Sequence, residues 1–196
     1  MAREASDTEV IRDVLEGRTE RFQVLLERYK GYLFSIVARH VPPDQVEEVA
    51  HEAAVQMYLS LSKFKGESQE EWRGWISKIA VRAAYAFWRE RYKSREVPMD
   101  SLAEEQKVWI EGVMGEASQE RFEELAQREE ASQVLDWALN KLSAEDRMVL
   151  ELTALEGYSV KEAAELLGWS LAKVKVRAMR ARRKLNKLLR EVTEAA

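Results

Sequence analysis

Apolar residues recur every three or four positions through most of this chain, which is the spacing of an amphipathic helix. The first such stretch follows Ser6 and Glu9, which stand at the spacing of a capping box, and it ends near Gly17. A second stretch runs over residues 19–41 and stops at a Pro-Pro pair, because proline cannot continue a helix. The pattern therefore predicts two helices before residue 42.

A third predicted helix begins at Asp44, which we expect to cap it, and has two distinct faces. Its apolar face comprises Val46, Ala50, Ala53, Met57 and Leu61. Its polar face comprises Glu47, Glu48, His51, Glu52 and Gln56. Residues 64–68 then break the periodicity and predict a loop. A fourth helix follows from about residue 70 to residue 93, and we expect core packing alone for at least one of its tryptophans, Trp72, Trp75 and Trp88.

Helical spacing returns at residue 132 and predicts four more helices. Ser143 begins the second of them in a looser cap, and Gly157 ends it. Ser159 and Glu162 then form a capping box before a short helix. A turn of Gly168, Trp169 and Ser170 follows, in which Ser170 is the expected cap of the last helix. The apolar stripe of that helix comprises Leu171, Val174, Ala178, Ala181, Leu185 and Leu188.

Between these two helical regions the character of the chain changes. Residues 102–131 hold nine acidic and three basic side chains, and Pro98, Gly112 and Gly115 interrupt the segment. We interpret residues 96–131 as an exposed acidic linker, in which the apolar run 108–110 could dock on a partner. The predicted fold is all-α: two helical domains, residues 1–95 and 132–196, joined by that linker.

The last helix is strongly basic in a chain of net charge −4. Between Ser170 and Arg190 it carries nine Lys or Arg residues and no Asp or Glu. A short helix, a turn with Gly and a basic helix form the layout of a helix-turn-helix, whose second helix enters the DNA major groove. A solvated basic helix and a membrane-surface helix are the alternatives, and the one-sided charge behind a short capped helix favours DNA binding.

Composition argues against several other classes of protein. The chain has no Cys, and its two His lie in different segments, so we expect no disulfide, metal or cofactor. It shows no Gly-rich phosphate loop and no nucleophile and base at motif spacing, so we expect a protein that is not an enzyme. The N-terminus does not resemble a signal peptide, and no apolar run is as long as a membrane span. We therefore expect a cytoplasmic protein without membrane insertion of its own.

Two stretches, about residues 20–95 and 132–190, resemble the two DNA-binding domains of a bacterial extracytoplasmic-function (ECF) sigma factor. The C-terminal resemblance is carried by Glu156-Gly-Tyr-Ser159, Glu162-Ala-Ala164, Leu167-Gly168, Val174-Lys175 and Arg177. The N-terminal resemblance is carried by Phe22, Leu25, Tyr29, the segment from Val46 to Glu52, residues 64–68 and the segment from Trp75 to Ala80. Two matched domains in this order are more specific than a lone helix-turn-helix.

The resemblance implies a transcription initiation factor, and it implies a role for each of three surfaces. The third helix resembles the segment that binds the clamp of core RNA polymerase, through Glu47, Glu48, His51, Glu52 and Gln56. The loop and fourth helix resemble the part that captures a flipped base of the −10 element, for which we expect Lys65, Gly66, Glu67, Ser68, Arg82 and Arg89. The basic helix resembles the reader of the −35 element, through Ser170, Lys173, Lys175, Val176, Arg177, Arg180 and Arg183.

Some positions depart from the pattern of that family. Arg82 stands where Asn is usual and Ala86 where Asp is usual, which bears on the −10 base preference more than on the role. Val176 stands where Ser is frequent; its side chain cannot donate a hydrogen bond but can pack on a thymine methyl. The implied partners are core RNA polymerase, promoter DNA and, since many members of the family are held by one, an anti-sigma factor.

A second interpretation comes from a different class of protein. A stand-alone helix-turn-helix regulator would use the N-terminal helices as a sensor or a dimerisation domain and would bind duplex operators without polymerase. Elution together with core polymerase favours the sigma factor, and tight binding of a palindromic duplex as a dimer favours the regulator.

Overall fold

The computed structural model describes residues 5–93 and 129–194, so residues 96–128 of the predicted linker, with its apolar run 108–110, lie outside the described residues, and its last three residues begin a helix. The described residues contain helices and no strand, and the all-α prediction is confirmed. The described residues fall into two compact units, whose boundary lies inside the fourth helix, between Phe87 and Trp88. The N-terminal unit consists of α1 (Asp7–Leu15), α2 (Phe22–Val37), α3 (Val46–Ser60) and the part of α4 (Gln69–Lys93) that ends at Phe87. The C-terminal unit consists of α5 (Glu129–Asn140), α6 (Ala144–Leu150), α7 (Val160–Leu167) and α8 (Leu171–Glu194).

The first helix begins where the capping box predicts. The amide of Glu9 donates to Ser6 Oγ at 3.3 Å, and the amide of Ser6 donates to Glu9 Oε2 at 2.7 Å. Two amides at the start of α1 are thereby satisfied. Past the end of the helix, Gly17 has φ 103°, a left-handed conformation that residues with a Cβ rarely adopt.

The second helix ends earlier than its apolar pattern predicts. It stops at Val37 instead of Val41, and the amides of His40 and Val41 both bond back to the Val37 carbonyl, at 2.9 and 3.2 Å. The residue before a proline is pushed out of the helical conformation, so Pro42 unwinds the turn that precedes it. Val41 is nevertheless buried, which explains why its position fits the apolar stripe.

The predicted cap of the third helix by Asp44 is wrong. Asp44 lies inside a short 3₁₀ turn, Pro43–Gln45, and no side chain caps α3. The ring of Pro43 fixes its φ at the value of a first helical position. The chain therefore begins to turn before Asp44, which cannot act as a cap. The buried stripe of α3 differs from the prediction in one member, because Val49 is buried whereas Val46 is only half-buried.

The core of the N-terminal unit lies between α2, α3 and α4. Leu25, Leu33, Met57 and Ile76 are almost completely buried there. Trp72 is 1% exposed there, and Trp88, beyond the boundary of this unit, is 2% exposed, which confirms that at least one tryptophan of α4 packs in a core. The described residues include no helix long and apolar enough to cross a membrane.

The C-terminal unit has its own apolar core, formed by Ala138, Leu139, Leu142, Leu150, Ala181 and Leu185. Ser143 caps α6 as predicted, since its Oγ accepts from the Asp146 amide at 3.2 Å. A π-helical turn, Glu151–Leu155, follows α6 and was not predicted. Such a turn holds one extra residue per turn, and apolar spacing alone does not distinguish it from an α-helix.

A buried ion pair spans α6 and the π-helical turn. Arg147 Nε donates to Glu151 Oε1 at 2.6 Å, and the two side chains are 7% and 6% exposed. Arg147 also donates to the side-chain oxygen of Asn140 at 3.0 Å. Charged groups are rarely buried unless they are paired in this way.

Candidate functional site

The polar face of α3 is exposed along its whole length. Glu47, Glu48, His51, Glu52 and Gln56 are all exposed, opposite the buried Val49, Ala50, Ala53 and Met57. The structure therefore brings the five predicted polymerase-binding residues onto one side of one helix. Glu47 and Glu48 lie in the first turn of α3, where the helix dipole favours negative charge.

Two apolar residues that the sequence interpretation missed extend this polar face. Val55 and Leu59 are exposed, and their spacing from Glu48, Glu52 and each other places them on the same side of α3. Their exposure could have been predicted from the sequence, because both residues lie off the apolar stripe. These two aliphatic side chains add apolar area that a protein partner could bury beside the carboxylates.

Residues 64–68 form the predicted loop, and its end is fixed by a second capping box. The amide of Glu71 donates to Ser68 Oγ at 3.2 Å. In return, Glu71 Oε2 accepts from the Glu67 amide at 3.0 Å, the Ser68 amide at 3.1 Å and the Ser68 hydroxyl at 3.0 Å. These hydrogen bonds, the one from the Glu67 amide first, lower the pKa of the Glu71 carboxyl. The loop therefore meets α4 in one defined backbone conformation.

An aromatic cluster lies beneath this loop. The Phe64 ring is 5.0 Å from the Trp72 ring and 5.5 Å from the Trp75 ring, and the two indoles stack with centroids 4.9 Å apart. Trp72 is buried, whereas Trp75 is only half-buried. A half-buried indole beside exposed backbone is a suitable platform for an unpaired base.

Gly66 is fitted closely against that cluster. A Cβ on Gly66 would lie 2.6 Å from the Phe64 ring and 2.8 Å from Glu71 Cβ, closer than such atoms approach in proteins. Of the predicted −10 residues, Lys65, Gly66, Glu67 and Ser68 are thus brought together in the loop. Arg82 and Arg89 lie two helical turns apart on an exposed side of α4. Arg82 is about 20 Å along the helix from Ser68, so it could contact DNA only beyond the part that the loop contacts.

The helix-turn-helix is built as the sequence predicts. The Glu162 amide donates to Ser159 Oγ at 3.2 Å, and the Ser159 amide donates to Glu162 Oε2 at 2.8 Å. Hydrogen bonds from the Ser159 side chain and backbone lower the pKa of Glu162. Gly168 has φ 70° in the turn, a conformation that glycine adopts without strain. Ser170 then caps α8 by accepting from the Lys173 amide at 3.2 Å.

The buried stripe of α8 is confirmed except at its first member. Val174, Ala178, Ala181 and Leu185 are buried and Leu188 is partly buried. Leu171 was expected in the stripe but is 44% exposed. The first turn of α8 extends beyond the core, so spacing that continues the stripe does not bury Leu171.

The exposed side of α8 combines apolar and basic residues. Val176 and Met179 are exposed in the first half of the helix, and Lys175, Arg180 and Arg183 are exposed around them. Met179 was not among the predicted DNA-binding residues, although its position opposite the apolar stripe indicated exposure. This arrangement suits a helix in the major groove, where aliphatic groups contact thymine methyls and cations contact guanines or phosphates.

Lys173 and Arg177 differ from those residues because both contact acidic residues of α6; Lys173 is exposed, whereas Arg177 is half-buried. Lys173 Nζ is 3.4 Å from Glu145, and the Arg177 guanidinium is 2.5 Å from Glu145 and 3.1 Å from Asp146. The structure thus separates the predicted −35 residues into three groups. Ser170 is the cap, Lys175, Val176, Arg180 and Arg183 form the outward group, and Lys173 and Arg177 form the paired group. The paired group could not be recognised from helix spacing alone.

Comparison with known proteins identifies both units. The family model described as sigma-70 region 2 matches residues 25–94, and the model described as sigma-70, region 4, matches residues 132–185. The ECF RNA polymerase sigma-E factor of Escherichia coli strain K12 is 28% identical over 182 residues, covering 93% of this chain and 93% of the relative. The protein of the same name from Haemophilus influenzae is 26% identical over 93% of this chain and 94% of its own length.

A solved structure is similar in fold as well as in sequence. CnrH, whose structure is solved in complex with the cytosolic domain of CnrY, matches with a TM-score of 0.51 and 26% identity. The match covers 93% of this chain and 96% of the CnrH chain. Similarity therefore extends over both helical units and is not confined to the helix-turn-helix.

Proposed function

Since the chain belongs to the ECF sigma factors of the sigma-70 family, we propose that it binds core RNA polymerase and directs it to promoters with −10 and −35 elements. It is a transcription initiation factor and not an enzyme. The observation that carries this proposal is the match of sigma-70 regions 2 and 4, in that order, to the two helical units. That order does not favour a stand-alone helix-turn-helix regulator.

Each part of the chain has a role in this proposal. Residues 1–95 act as sigma domain 2, which binds core polymerase and the −10 element and assists melting. Residues 132–196 act as sigma domain 4, which binds the −35 element, and residues 96–131 act as the acidic linker. Core polymerase places the protein in the cytoplasm, and an anti-sigma factor is a further partner that the family implies.

The residue assignments follow the three surfaces. The polar face of α3, extended by Val55 and Leu59, binds core polymerase, because carboxylates and exposed aliphatic groups together suit a protein partner. The loop over residues 64–68 and the half-buried Trp75 receive the unpaired −10 base. The outward group on α8, which includes Lys175, Val176 and Arg180, reads the −35 duplex.

In vitro transcription with core RNA polymerase on a library of promoters tests the proposal as a whole. Productive initiation from promoters that share two spaced elements is the expected result. Failure of the protein to elute with core polymerase, together with tight binding to a palindromic duplex, would instead favour the stand-alone regulator.

Replacing Glu52 by Arg should weaken binding to core polymerase by about 1–3 kcal/mol, the range for losing a charge-assisted contact and adding repulsion. Glu52 is exposed on α3, so the fold should be unaffected. A fluorescence titration of labelled protein with core polymerase measures the affinity. Glu27→Arg makes the same charge change at an exposed position on α2 and is the matched control. Equal affinities for both variants would show that the α3 face is not the contact.

Replacing Arg180 by Ala should relax base preference at one position of the −35 element and cost about 1–3 kcal/mol in promoter affinity. The reason is that Arg180 is exposed on the outward side of α8, where a guanidinium can reach a guanine edge. Transcription by the holoenzyme on promoters varied only in the −35 element measures the preference. An unchanged preference in a folded variant would remove Arg180 from the reading surface.

A further inference from the structure

We propose that Glu145 and Asp146 are positioning residues for promoter recognition, which hold two cations of α8 away from the DNA phosphates. This inference rests on the proposed function, since it assumes that α8 is the helix that meets DNA. Both acidic residues lie in the first turn of α6, and both cations, Lys173 and Arg177, lie in the first two turns of α8. The contact joins residues 28–32 positions apart in the sequence.

The geometry of the contact uses both oxygens of Glu145. Oε1 is 3.4 Å from Lys173 Nζ, and Oε2 is 2.5 Å from Arg177 Nη2. The other terminal nitrogen of Arg177, Nη1, donates to Asp146 Oδ1 at 3.1 Å. Arg177 therefore spans two carboxylates, and two positive charges face two negative ones.

The surrounding residues hold these side chains in place. Asp146 is buried, and its amide is fixed by the hydrogen bond to Ser143 Oγ. Lys173 Nζ also lies 3.7 Å from the centre of the Trp169 ring, a cation–π contact. To bind a phosphate, Lys173 must leave both a carboxylate and an indole face. Arg177, 30% exposed, must leave two carboxylates.

The consequence concerns non-specific DNA binding. Affinity for DNA of any sequence grows with the number of phosphates that a protein neutralises, whereas base contacts set preference. The carboxylates compensate two of the nine positive charges between Ser170 and Arg190, so α8 offers fewer cations to the backbone. The outward group, with Lys175, Val176 and Arg180, is left to read bases. Glu145 and Asp146 thereby lower the affinity of α8 for DNA of any sequence.

The salt dependence of DNA binding tests this inference in the full-length protein. The probe is a labelled random-sequence duplex, followed by fluorescence anisotropy over a series of NaCl concentrations. Each additional phosphate contact steepens the slope of log affinity against log salt by about 0.9. Glu145→Gln, which releases Lys173, should steepen the slope by about that amount, and Glu145→Gln with Asp146→Asn should steepen it by about 1.8.

Two further variants separate charge release from other effects. Glu27→Gln changes the net charge equally at an exposed position on α2, and the slope should stay at the wild-type value. Adding Lys173→Gln to Glu145→Gln should return the slope to the wild-type value, because the released cation is gone. Circular dichroism confirms that each variant is folded. If Glu145→Gln leaves the slope unchanged in a folded protein, the acidic pair has only a structural role and the inference is overturned.

A second measurement distinguishes failure of this inference from failure of the proposed function. In holoenzyme transcription, Glu145→Gln should leave the ratio of output from intact and scrambled −35 promoters unchanged, because an added phosphate contact strengthens binding to all sequences alike. Arg180→Ala tests the reading role of α8 independently. If Arg180→Ala lowers the ratio and Glu145→Gln leaves the salt slope unchanged, the inference alone fails. If Arg180→Ala leaves the ratio unchanged, α8 is not the −35 reader and the proposed function fails at this surface.

Discussion

Replacing Glu151 by Leu should destabilise the C-terminal unit by about 3–5 kcal/mol, the cost of leaving a buried charge without its partner. Glu151 and Arg147 are almost completely buried and lie 2.6 Å apart. The remaining carboxylate near Arg147 is that of Asp136, at 4.0 Å and 63% exposed, which is too distant and too solvated to compensate the charge. Asn140 supplies a hydrogen bond but no charge.

Urea unfolding followed by circular dichroism measures this loss. Glu90→Gln is the matched control, because it breaks the Lys93–Glu90 pair, whose side chains are 63% and 75% exposed, and it should change stability little. Adding Arg147→Met to Glu151→Leu should restore most of the stability, since two apolar groups can replace a buried pair. A loss below about 1 kcal/mol for Glu151→Leu alone would mean that water solvates Arg147 in the folded state.

Replacing Gly66 by Ala should lower −10-dependent initiation by about ten-fold, which corresponds to about 1.4 kcal/mol. The added Cβ would lie 2.6 Å from the Phe64 ring and 2.8 Å from Glu71 Cβ. Glu71 Cβ is fixed to the α4 backbone, and the Phe64 ring is held against Trp72 and Trp75. The loop must therefore move, and with it the backbone that we propose receives the unpaired base.

Two other glycines provide matched controls for that substitution. A Cβ on Gly31, in α2, or on Gly74, in α4, would meet no atom within 4 Å. Alanine at either position should stabilise the helix by about 0.5–1 kcal/mol and leave initiation unchanged. Abortive transcription on a promoter with a pre-melted −10 element, compared with the duplex promoter, measures the effect. Wild-type output from Gly66→Ala on the duplex promoter would show that the loop conformation does not determine melting.

Local chemistry explains which parts of the fold could be predicted from the sequence. Ser6, Ser143, Ser159 and Ser170 all cap helices as expected, because a cap depends on residues three positions apart. Asp44 stands in a similar sequence pattern but follows Pro43, whose fixed φ begins the turn earlier. The pattern identified the helix and misplaced its cap by one residue, since α3 begins at Val46 after Gln45.

Tertiary contacts explain what could not be predicted. Arg177 was expected to meet DNA because it lies on a basic helix, and nothing in its own helix indicates the carboxylates of Glu145 and Asp146. The π-helical turn, Glu151–Leu155, could not be predicted either, because apolar spacing does not distinguish it from an α-helix. The polar face of α3 was predicted more completely, because every residue on it belongs to a single helix.

The stacked indoles of Trp72 and Trp75 also give the protein an optical signature at the loop. Two aromatic transition dipoles whose rings lie 4.9 Å apart couple strongly, and the coupling depends on their relative orientation. A base that enters beside Trp75 would reorient one indole and leave the helices unchanged. Far-UV circular dichroism would miss that event, whereas near-UV circular dichroism, which reports fixed side-chain packing, would register it at the long-wavelength edge of indole absorption, where DNA does not absorb. Binding of an unpaired strand can thus be followed in the unlabelled protein.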